Sequence, residues 1–339
     1  MKAREIGGYF ELELLAHSGF LHDDGILLNS GRCALEYVLL ALGKVKRVYV
    51  PYYTCDVVME PIEKLAIPYT FYHINQNLEI KNLPLLENGE CLIYTNYFGI
   101  KDEYVKRLAD QYGDQLIVDN AQAWFSEPIK GVSTFYSPRK YVGIPDGGVA
   151  YCPKTLNVLQ FEQDYSYDRC LHLLKRIDLG ATSGYSDFRQ NSGKMVRQPV
   201  RRMSKLTMTL LSNIDFEEIK KKRIENFKQL HECLKRFNQY AIPDLTSFEC
   251  PMVYPFYTND IGLRLRLIEN SVFVATYWPN VRDWCTSEEE ERKLTEKLLP
   301  LPIDQRYSVC DMNFIKKIIY ENCNNWRERY CNCDSRSNL

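Results

Sequence analysis

The chain has 339 residues, of which 45% are hydrophobic and 26% are charged, and its formal net charge is −1. This length suits two domains, or one large domain with a smaller one attached, and leaves room for a buried active site. The balanced charge excludes the basic footprint of a nucleic-acid-binding protein, and no apolar run is long enough to span a bilayer. We therefore expect small-molecule partners, with no nucleic acid and no membrane insertion.

The N-terminus, up to Phe20, carries acidic side chains where a signal peptide needs an apolar core, so we expect a cytoplasmic location. The twelve cysteines are scattered mostly as single residues, which favours reduced thiols. Cys331 and Cys333 form the closest pair, with Cys323 upstream, but a second ligand pair and nearby histidines are missing. We expect no metal site.

Between about residues 26 and 152, short β-branched or aromatic runs alternate with segments of helical periodicity. This pattern predicts a wound, mostly parallel α/β sheet. The first helix should begin after Ser30, a good N-cap, and end at Gly43. Two further helices are predicted at 57–65 and 102–112. Strands are predicted at 47–50, 69–74, 92–95, 116–119, 134–137 and 148–151.

After residue 152 the chain becomes polar and helix-prone, and 214–236 is predicted to be one long helix. Strands are then predicted at 250–254, 263–267 and 272–277, and helices at 288–298 and 311–320. These elements divide the chain into a large α/β domain at 1–225, a smaller C-terminal α+β domain at 226–330 and a frayed tail at 331–339.

Common catalytic signatures are missing from the sequence. No G-x-G-x-x-G follows the first strand and no G-x-x-x-x-G-K-[ST] occurs, which removes the main support for a dehydrogenase or a P-loop enzyme. A G-x-S-x-G motif is also missing, and the five histidines lie far in sequence from any obvious serine or cysteine partner. Hydrolase chemistry is therefore disfavoured.

Four short segments remain as candidates for the functional site. Ser30 and Gly31 open the first helix, whose free N–H groups and positive dipole end suit a phosphate, although they also fit an ordinary helix cap. The segments are L-N-S-G-R-C-A-L at 28–35, P-Y-Y-T-C at 51–55, V-D-N-A-Q-A at 118–123 and F-Y-S-P-R-K-Y-V-G-I-P-D-G-G at 135–148.

Asp119 ends an apolar strand, so its carboxylate should lie at the edge of the sheet where open α/β folds bind ligands. A buried carboxylate there needs a cationic partner such as a protonated pyridine nitrogen. Lys140 precedes a glycine-rich loop that can wrap a flat ligand, Ser137 can turn its hydroxyl towards a phosphate, and Arg139 can add positive charge. A turn-capping aspartate and a solvated lysine remain the simpler explanations.

Together, S-G-x-x-A-L, D-x-A-Q-A and the S-x-x-K that leads into a G-G strand resemble fold-type-I enzymes that use pyridoxal 5′-phosphate (PLP). They are most similar to the DegT/StrS-type sugar aminotransferases. R-M-S-K-L-T at 202–207, T-Y-W-P at 276–279 and L-P-I-D-Q-R-Y at 301–307 occur in the order of that family's landmarks, so the resemblance covers nearly the whole chain. It implies the PLP fold type I, PLP as cofactor and a homodimer.

The resemblance also implies residue roles. Lys140 would hold PLP as a Schiff base and shuttle protons, Asp119 would pair with the pyridine nitrogen, and Gln122 would lie near the ring hydroxyl. The reaction implied is the transfer of an amino group, from glutamate, to a keto-sugar linked to a nucleotide or another carrier. The phosphate would be held by Ser30, Gly31, Arg32 and Ser137.

Two positions near the implied cofactor depart from the family's pattern. Cys55 stands where the family usually has an aromatic residue that stacks on the cofactor ring, so Tyr52 and Tyr53 are candidates for that contact. Arg32 stands where the family tends to have threonine.

A third departure lies downstream, where Val200 replaces an asparagine that in the family reaches the partner subunit's phosphate. Arg201 and Arg202 are the candidate replacements. Tyr277 and Trp278 can stack on a sugar face, or simply pack between domains. The segment that ends in these arginines is expected to be a solvated loop, with an alternative placement over the site, and its other basic residues are Arg189, Lys194 and Arg197.

Three other functions remain open at this point. A PLP-dependent lyase or dehydratase is disfavoured because relatives of that type tend to replace the lysine, whereas Lys140 is present. A PLP-binding protein that has lost turnover is suggested by Cys55 and Val200. A cofactor-free binding protein would use Asp119 and Lys140 as a buried ion pair.

Overall fold

The computed structural model describes residues 9–14 and 19–320. A seven-stranded sheet organises its first half, in the order β1-β7-β6-β5-β4-β2-β3. The strand β7 pairs antiparallel with both β1 and β6, and every other neighbouring pair is parallel. This confirms the predicted mostly parallel α/β sheet. The strands are β1 (Ile26–Leu28), β2 (Arg47–Pro51), β3 (Tyr69–Tyr72), β4 (Glu90–Thr95), β5 (Leu116–Asn120), β6 (Ser133–Tyr136) and β7 (Gly148–Tyr151).

All six strands predicted for this sheet are present, with ends shifted by at most two residues. The seventh, β1, has only three residues and was not predicted, because so short a run carries no periodicity. It is held in place by pairing with β7, with Ile26 opposite Ala150 and Leu28 opposite Gly148.

The central strands β4 and β5 are buried along their whole length, as expected for parallel strands covered on both faces. Their register places Thr95 opposite Asp119, and Asp119 lies opposite Phe135 of β6. Three neighbouring strand ends therefore meet at one edge of the sheet. This edge carries the candidate site.

In the described residues of the first two-thirds of the chain, three helices alternate with the strands of the sheet, and three more follow its last strand. The prediction that Ser30 caps the first helix is confirmed, because its hydroxyl accepts the N–H of Cys33 at 3.1 Å. Gly43 ends that helix with a φ of 83°, which glycine adopts easily. These helices are α1 (Gly31–Leu42), α2 (Met59–Lys64), α3 (Asp102–Tyr112), α4 (Leu171–Ser183), α5 (Tyr185–Lys194) and α6 (Lys205–Ser212).

The C-terminal part is a smaller α+β unit with its own apolar cluster, in which Phe227 and Leu230 pack with Tyr254, Leu299 and Ile315. Within the described ranges, no helix is long and apolar enough to cross a membrane. The elements of this part are α7 (Phe216–Leu234), β8 (Val253–Tyr257), α8 (Leu263–Glu269), α9 (Val281–Trp284), α10 (Glu290–Lys297), β9 (Leu298–Pro302), antiparallel to β8, and α11 (Val309–Tyr320).

Two strand predictions in this part were wrong. The run at 263–267 is helix α8, because Leu263 and Leu267 lie one helical turn apart on the same buried face. The run at 272–277 is not a strand, although Val272 and Val274 are buried in the C-terminal cluster. Strand β9 was missed, because its first residue, Leu298, was assigned to the end of the preceding helix and its other residues were not assigned to any element.

The proposed domain limits stay predictions. Residue 225 falls inside helix α7, so this helix contributes to both of the predicted domains. The tail at 331–339, with Cys331 and Cys333, lies outside the described residues, as does Cys323.

The close contact between Gly148 and the start of α1 leads to a testable prediction. A Cβ at residue 148 would clash with the carbonyl of Ser30 and lie 2.7 Å from the nitrogen of Gly31. We expect Gly148→Ala to lower the free energy of unfolding by about 1–3 kcal/mol, the typical cost of overpacking. Urea denaturation measures the change, and Gly143→Ala is the control, since its Cβ would have its nearest contact 3.8 Å away. Equal stability of the two variants would contradict the contact.

Candidate active site

A cavity of about 300 Å³ lies at the edge where β4, β5 and β6 end. Its volume is at the lower end of the range for small-molecule sites, roughly 300–1,000 Å³. Nine of the residues proposed from the sequence line it, and they come from five separate segments of the chain. They are Ser30, Gly31, Arg32, Cys55, Asp119, Ser137, Arg139, Lys140 and Trp278.

Asp119 presents a buried carboxylate to this cavity, with 5% of the residue exposed. One oxygen accepts the N–H of Ala121 at 2.9 Å, and the other accepts the hydroxyl of Thr95 at 3.3 Å. Burial raises the pKa of Asp119, while the charge of Lys140 and the two hydrogen bonds act to lower this pKa. Asp119 forms no ion pair among the described residues, so the cavity wall holds a carboxylate that a bound cationic group would stabilise.

Lys140 ends the short helical turn Pro138–Lys140, directly after β6. Its backbone N–H donates to the carbonyl of Ser137 at 3.2 Å. Its ammonium group has no hydrogen bond or ion pair with any described residue, and it does not pair with Asp119. The buried ion pair required by a cofactor-free binding protein is therefore not formed, and the lysine is free to react with a ligand in the cavity.

One end of the cavity is formed by the start of α1 and by Ser137. A Cβ at Gly31 would lie 3.1 Å from the Cβ of Ser137 and 3.3 Å from its hydroxyl oxygen, so only glycine lets the two segments approach this closely. The free N–H groups at the start of this twelve-residue helix make this end of the cavity electropositive. Such an end suits an anion.

Arg139 adds a cation to this end of the cavity. Its guanidinium lies 4.7 Å from the ring centre of Phe188 and donates to the hydroxyl of Ser192 at 3.1 Å. Its Nε is buried and has no partner in the described part of the chain. Burial and the nearby charge of Arg32 lower the pKa of Arg139 to about 10. Arg32 itself is paired with Glu60 at 3.3 Å, whereas Arg139 has no acidic partner among the described residues.

Three of the other candidates do not line the cavity. Gln122 is fully buried, its amide oxygen accepts the N–H of Phe98 at 2.9 Å, and its amide nitrogen has no partner among the described residues. Tyr53 is also fully buried and packs edge-on against Trp278 at 5.0 Å between ring centres. Tyr277 contacts Phe98, with ring centres 5.8 Å apart.

The two arginines proposed as replacements at Val200 also lie outside the cavity. Arg201 is 3.7 Å from Asp164, and Arg202 donates to the carbonyl of Phe161 at 3.0 Å. The expectation of a solvated loop before them was wrong, because residues 185–194 form helix α5. This helix and the residue after it border the cavity through Phe188 and Met195.

Several cavity residues were not found from the sequence. Thr95 supports Asp119 from the neighbouring strand, and its place at the end of β4 was a usable signal. Phe188 and Met195 carried no such signal, since only the packing of α5 brings them to the site.

No family model matches the sequence, and no curated protein matches it either. Solved structures do match. A DegT DnrJ EryC1 StrS aminotransferase from Brucella abortus has a TM-score of 0.59 at 16% identity and covers 87% of this chain and 85% of its own. NtdA from Bacillus subtilis with bound cofactor PMP has a TM-score of 0.60 at 13% identity, covering 87% and 72%.

A third match is DesI in the presence of its TDP-sugar product, with a TM-score of 0.60 at 14% identity, covering 90% of this chain and 81% of its own. The chain has the fold of the DegT/StrS-type sugar aminotransferases. This confirms the predicted fold type I architecture. At identities this low, the likeness shows the fold alone, and the function rests on the residues of the cavity.

The charge of Asp119 leads to a second prediction. Because its pKa is raised in the folded state, ionisation of Asp119 costs stability, and this cost increases as pH rises above the ordinary value of about 3.9. We expect Asp119→Asn, in protein without added ligand, to raise the melting temperature at pH 7 by about 2–4 °C, which corresponds to about 1 kcal/mol. The gain should vanish towards acidic pH.

Scanning calorimetry measures this gain, and Asp304→Asn is the comparison. The two carboxylate oxygens of Asp304 accept hydrogen bonds from Arg306. Burial acts to raise the pKa of Asp304, but the hydrogen bonds and the charge of Arg306 hold this pKa below its ordinary value. Ionisation of Asp304 therefore stabilises the fold, and we expect this second variant to lose stability at pH 7. A loss for Asp119→Asn as well would show that its carboxylate serves the fold rather than a ligand.

Proposed function

We propose that the protein is a PLP-dependent aminotransferase that moves an amino group, taken from glutamate, to a keto-sugar attached to a nucleotide or another carrier. The observation that carries this proposal is the arrangement of one cavity. It is surrounded by a buried carboxylate and a lysine, neither of which has an ion pair with a described residue, and by an end that suits an anion. These are complementary to the pyridine nitrogen, the aldehyde and the phosphate of PLP.

When bound, PLP supplies an electron sink that allows an amino group to leave one substrate and be passed to another. The residues of this chain provide binding, orientation and proton transfer. The carboxylate of Asp119 would hold a proton on the pyridine nitrogen, and Thr95 and the N–H of Ala121 fix its orientation. The buried setting strengthens this interaction, because the dielectric constant there is low.

Lys140 would anchor the cofactor through its Nζ and, once displaced by the substrate amine, carry a proton at that atom. Nζ has no hydrogen-bond partner in the described part of the chain, which supports this role because no bond to those residues has to be broken when the lysine moves. The turn Pro138–Lys140 keeps its backbone fixed beside the cavity.

The phosphate of the cofactor would bind at the end formed by α1, Ser137 and Arg139. Ser30 and Gly31 belong to this end, and Gly148 allows the chain to pass close beneath them. Arg139 would supply a contact to the phosphate in place of the family's partner-subunit asparagine, whose position here is Val200. Trp278 lines the cavity, whereas Tyr52 and Tyr53 do not, so it is a better candidate for a ring contact than either tyrosine.

A homodimer is part of this proposal. Helix α4 exposes Leu171, Leu174 and Ile177 at helical spacing, with 51%, 57% and 81% of each residue exposed. A row of apolar side chains like this favours contact with a second chain. The mass of the protein in solution, from sedimentation equilibrium, tests the dimer.

Cofactor binding is tested on Lys140. With PLP added, we expect a visible absorption band that borohydride traps on Lys140, and glutamate should convert the unreduced form to pyridoxamine phosphate. Lys140→Ala should lose the trapped adduct, whereas Lys130→Ala, which changes an exposed lysine outside the cavity, should keep it.

Two outcomes would count against the proposal in different ways. A band that glutamate and other amino donors leave unchanged would favour the lyase or the protein without turnover. If no band forms, or if the label appears on other lysines of the wild-type protein, the assignment of Lys140 is wrong.

Phosphate binding is tested on Arg139. We expect Arg139→Gln to weaken binding of PLP by about tenfold or more, since a buried charge-assisted hydrogen bond is lost. Binding of pyridoxal, which lacks the phosphate, should change little. Arg189→Gln is the matched control, because Arg189 is exposed on α5 and does not line the cavity. If the Arg139 variant weakens both ligands equally, the residue shapes the cavity and does not bind phosphate.

A further inference from the structure

His22 is a buried titratable residue to which the proposed function gives no role. It lies in the turn before β1, with 5% of the residue exposed, and it does not line the cavity. Its Nε2 is 2.7 Å from the carbonyl oxygen of Trp124, and its ring centre is 4.1 Å from that of Tyr136. The ring therefore contacts both the segment that follows Asp119 and the strand that leads to Lys140.

The hydrogen bond between His22 and Trp124 has a defined direction. A carbonyl oxygen only accepts, so Nε2 carries the hydrogen and donates it. Burial lowers the pKa of His22, while the bond to Trp124 and the charge of Asp24 act to raise it. The ring is neutral at pH 7. Its Nδ1 lies 3.2 Å from the hydroxyl oxygen of Tyr151, which donates to Asp24 at 2.5 Å, so both sides of the ring are held.

The segment 121–126 begins at the residue that supports the carboxylate of Asp119, since the N–H of Ala121 donates to that carboxylate at 2.9 Å. Three carbonyls of this segment accept hydrogen bonds from side chains elsewhere in the chain. The pairs are Tyr141 with Gln122 at 2.6 Å, His22 with Trp124 at 2.7 Å and Tyr136 with Ser126 at 2.8 Å. The conformation of the segment, and with it the place of the Ala121 N–H, depends on these bonds.

The middle bond of this set differs from the other two in its origin. Tyr136 and Tyr141 flank the turn Pro138–Lys140, whereas His22 reaches the segment from the N-terminal part of the chain. The carbonyl of Trp124 is buried at this contact. Without its donor this oxygen would be left unpaired, which is costly in the interior, and the segment would relieve the cost by moving.

We propose that His22 is a positioning residue for Asp119. Its Nε2 holds the segment 121–126 in the conformation that directs the N–H of Ala121 at the carboxylate. This inference rests on the proposed function where it concerns PLP, because Asp119 is the group proposed to bind the pyridine nitrogen. His22 acts on the cofactor through Asp119 and not by contact.

A double-mutant cycle tests this action, with PLP affinity measured from the visible absorption band. We expect His22→Leu to weaken PLP binding by about tenfold in the wild type but by less than about twofold in Asp119→Asn, because coupled residues are not additive. His22→Gln should restore most of the affinity, since its amide nitrogen can donate in the place of Nε2. His231→Leu is the control, because His231 is half-buried on α7 and does not line the cavity.

A second measurement needs no cofactor. Hydrogen exchange followed by mass spectrometry reports the opening of the segment 121–126 in protein without PLP. We expect the peptide that covers this segment to exchange about tenfold faster in His22→Leu than in the wild type, and at the wild-type rate in His22→Gln. The peptide from α11 should exchange equally in all three, which separates a local change from a loss of overall stability.

Three results would overturn this inference. The first is the same change in PLP affinity on His22→Leu in the wild type and in Asp119→Asn. The second is unchanged exchange of the segment 121–126, and the third is a failure of His22→Gln to restore affinity and exchange, which would assign the effect to packing against Tyr136. Failure of the proposed function has a different signature, since no PLP band would then form in the wild type while exchange still measured the role of His22.

Discussion

The candidate site depends on one costly feature, a buried carboxylate at the end of a central strand that has no ion pair with any residue in 9–14 or 19–320. Asp119 receives two hydrogen bonds, and the nearest cation that influences it, Lys140, is not in contact with it. A fold gains nothing from such a group by itself, because desolvation of the charge outweighs two hydrogen bonds from neutral donors. This desolvation cost is offset if a cationic ligand binds to the carboxylate. The strand register, Thr95 and the turn at Ala121 all hold the carboxylate in place.

The other end of the cavity shows a similar imbalance, with a buried positive charge in place of a buried negative one. Arg139 is held among Phe188, Ser192 and the positive end of α1, without a carboxylate. No carboxylate of a described residue balances the positive charge at this end. The two ends of the cavity therefore favour ligand groups of opposite charge. A ligand with a pyridinium at one end and a phosphate at the other satisfies both, whereas a simple sugar carries neither charge.

Sequence patterns were sufficient for the large sheet and for the centre of the site. Asp119 and Lys140 could be placed because each follows a strand with clear periodicity, and Ser30 could be placed because it is a helix cap. The failures have a common physical cause. Leu263 and Leu267 fit either a strand or a helix when only a short run is seen, and the position of Phe188 depends on how α5 packs, which no local pattern contains. Tyr53 was a reasonable aromatic candidate, but its burial against Trp278 depends on tertiary packing, which a local sequence pattern does not show.

The way Asn29 is held has a consequence for the order in which the protein forms. Its N–H donates to the carbonyl of Arg201 at 3.0 Å, and its carbonyl accepts the N–H of Gly147 at 3.0 Å. The residue just before the phosphate-binding end is thus held by segments more than a hundred positions away. Contacts of such long range close late, since the entropy of a long loop has to be overcome first. During synthesis, Asn29 can be fixed in place only after residue 201 has left the ribosome, about fifty positions after the last strand of the large sheet, which ends at Tyr151.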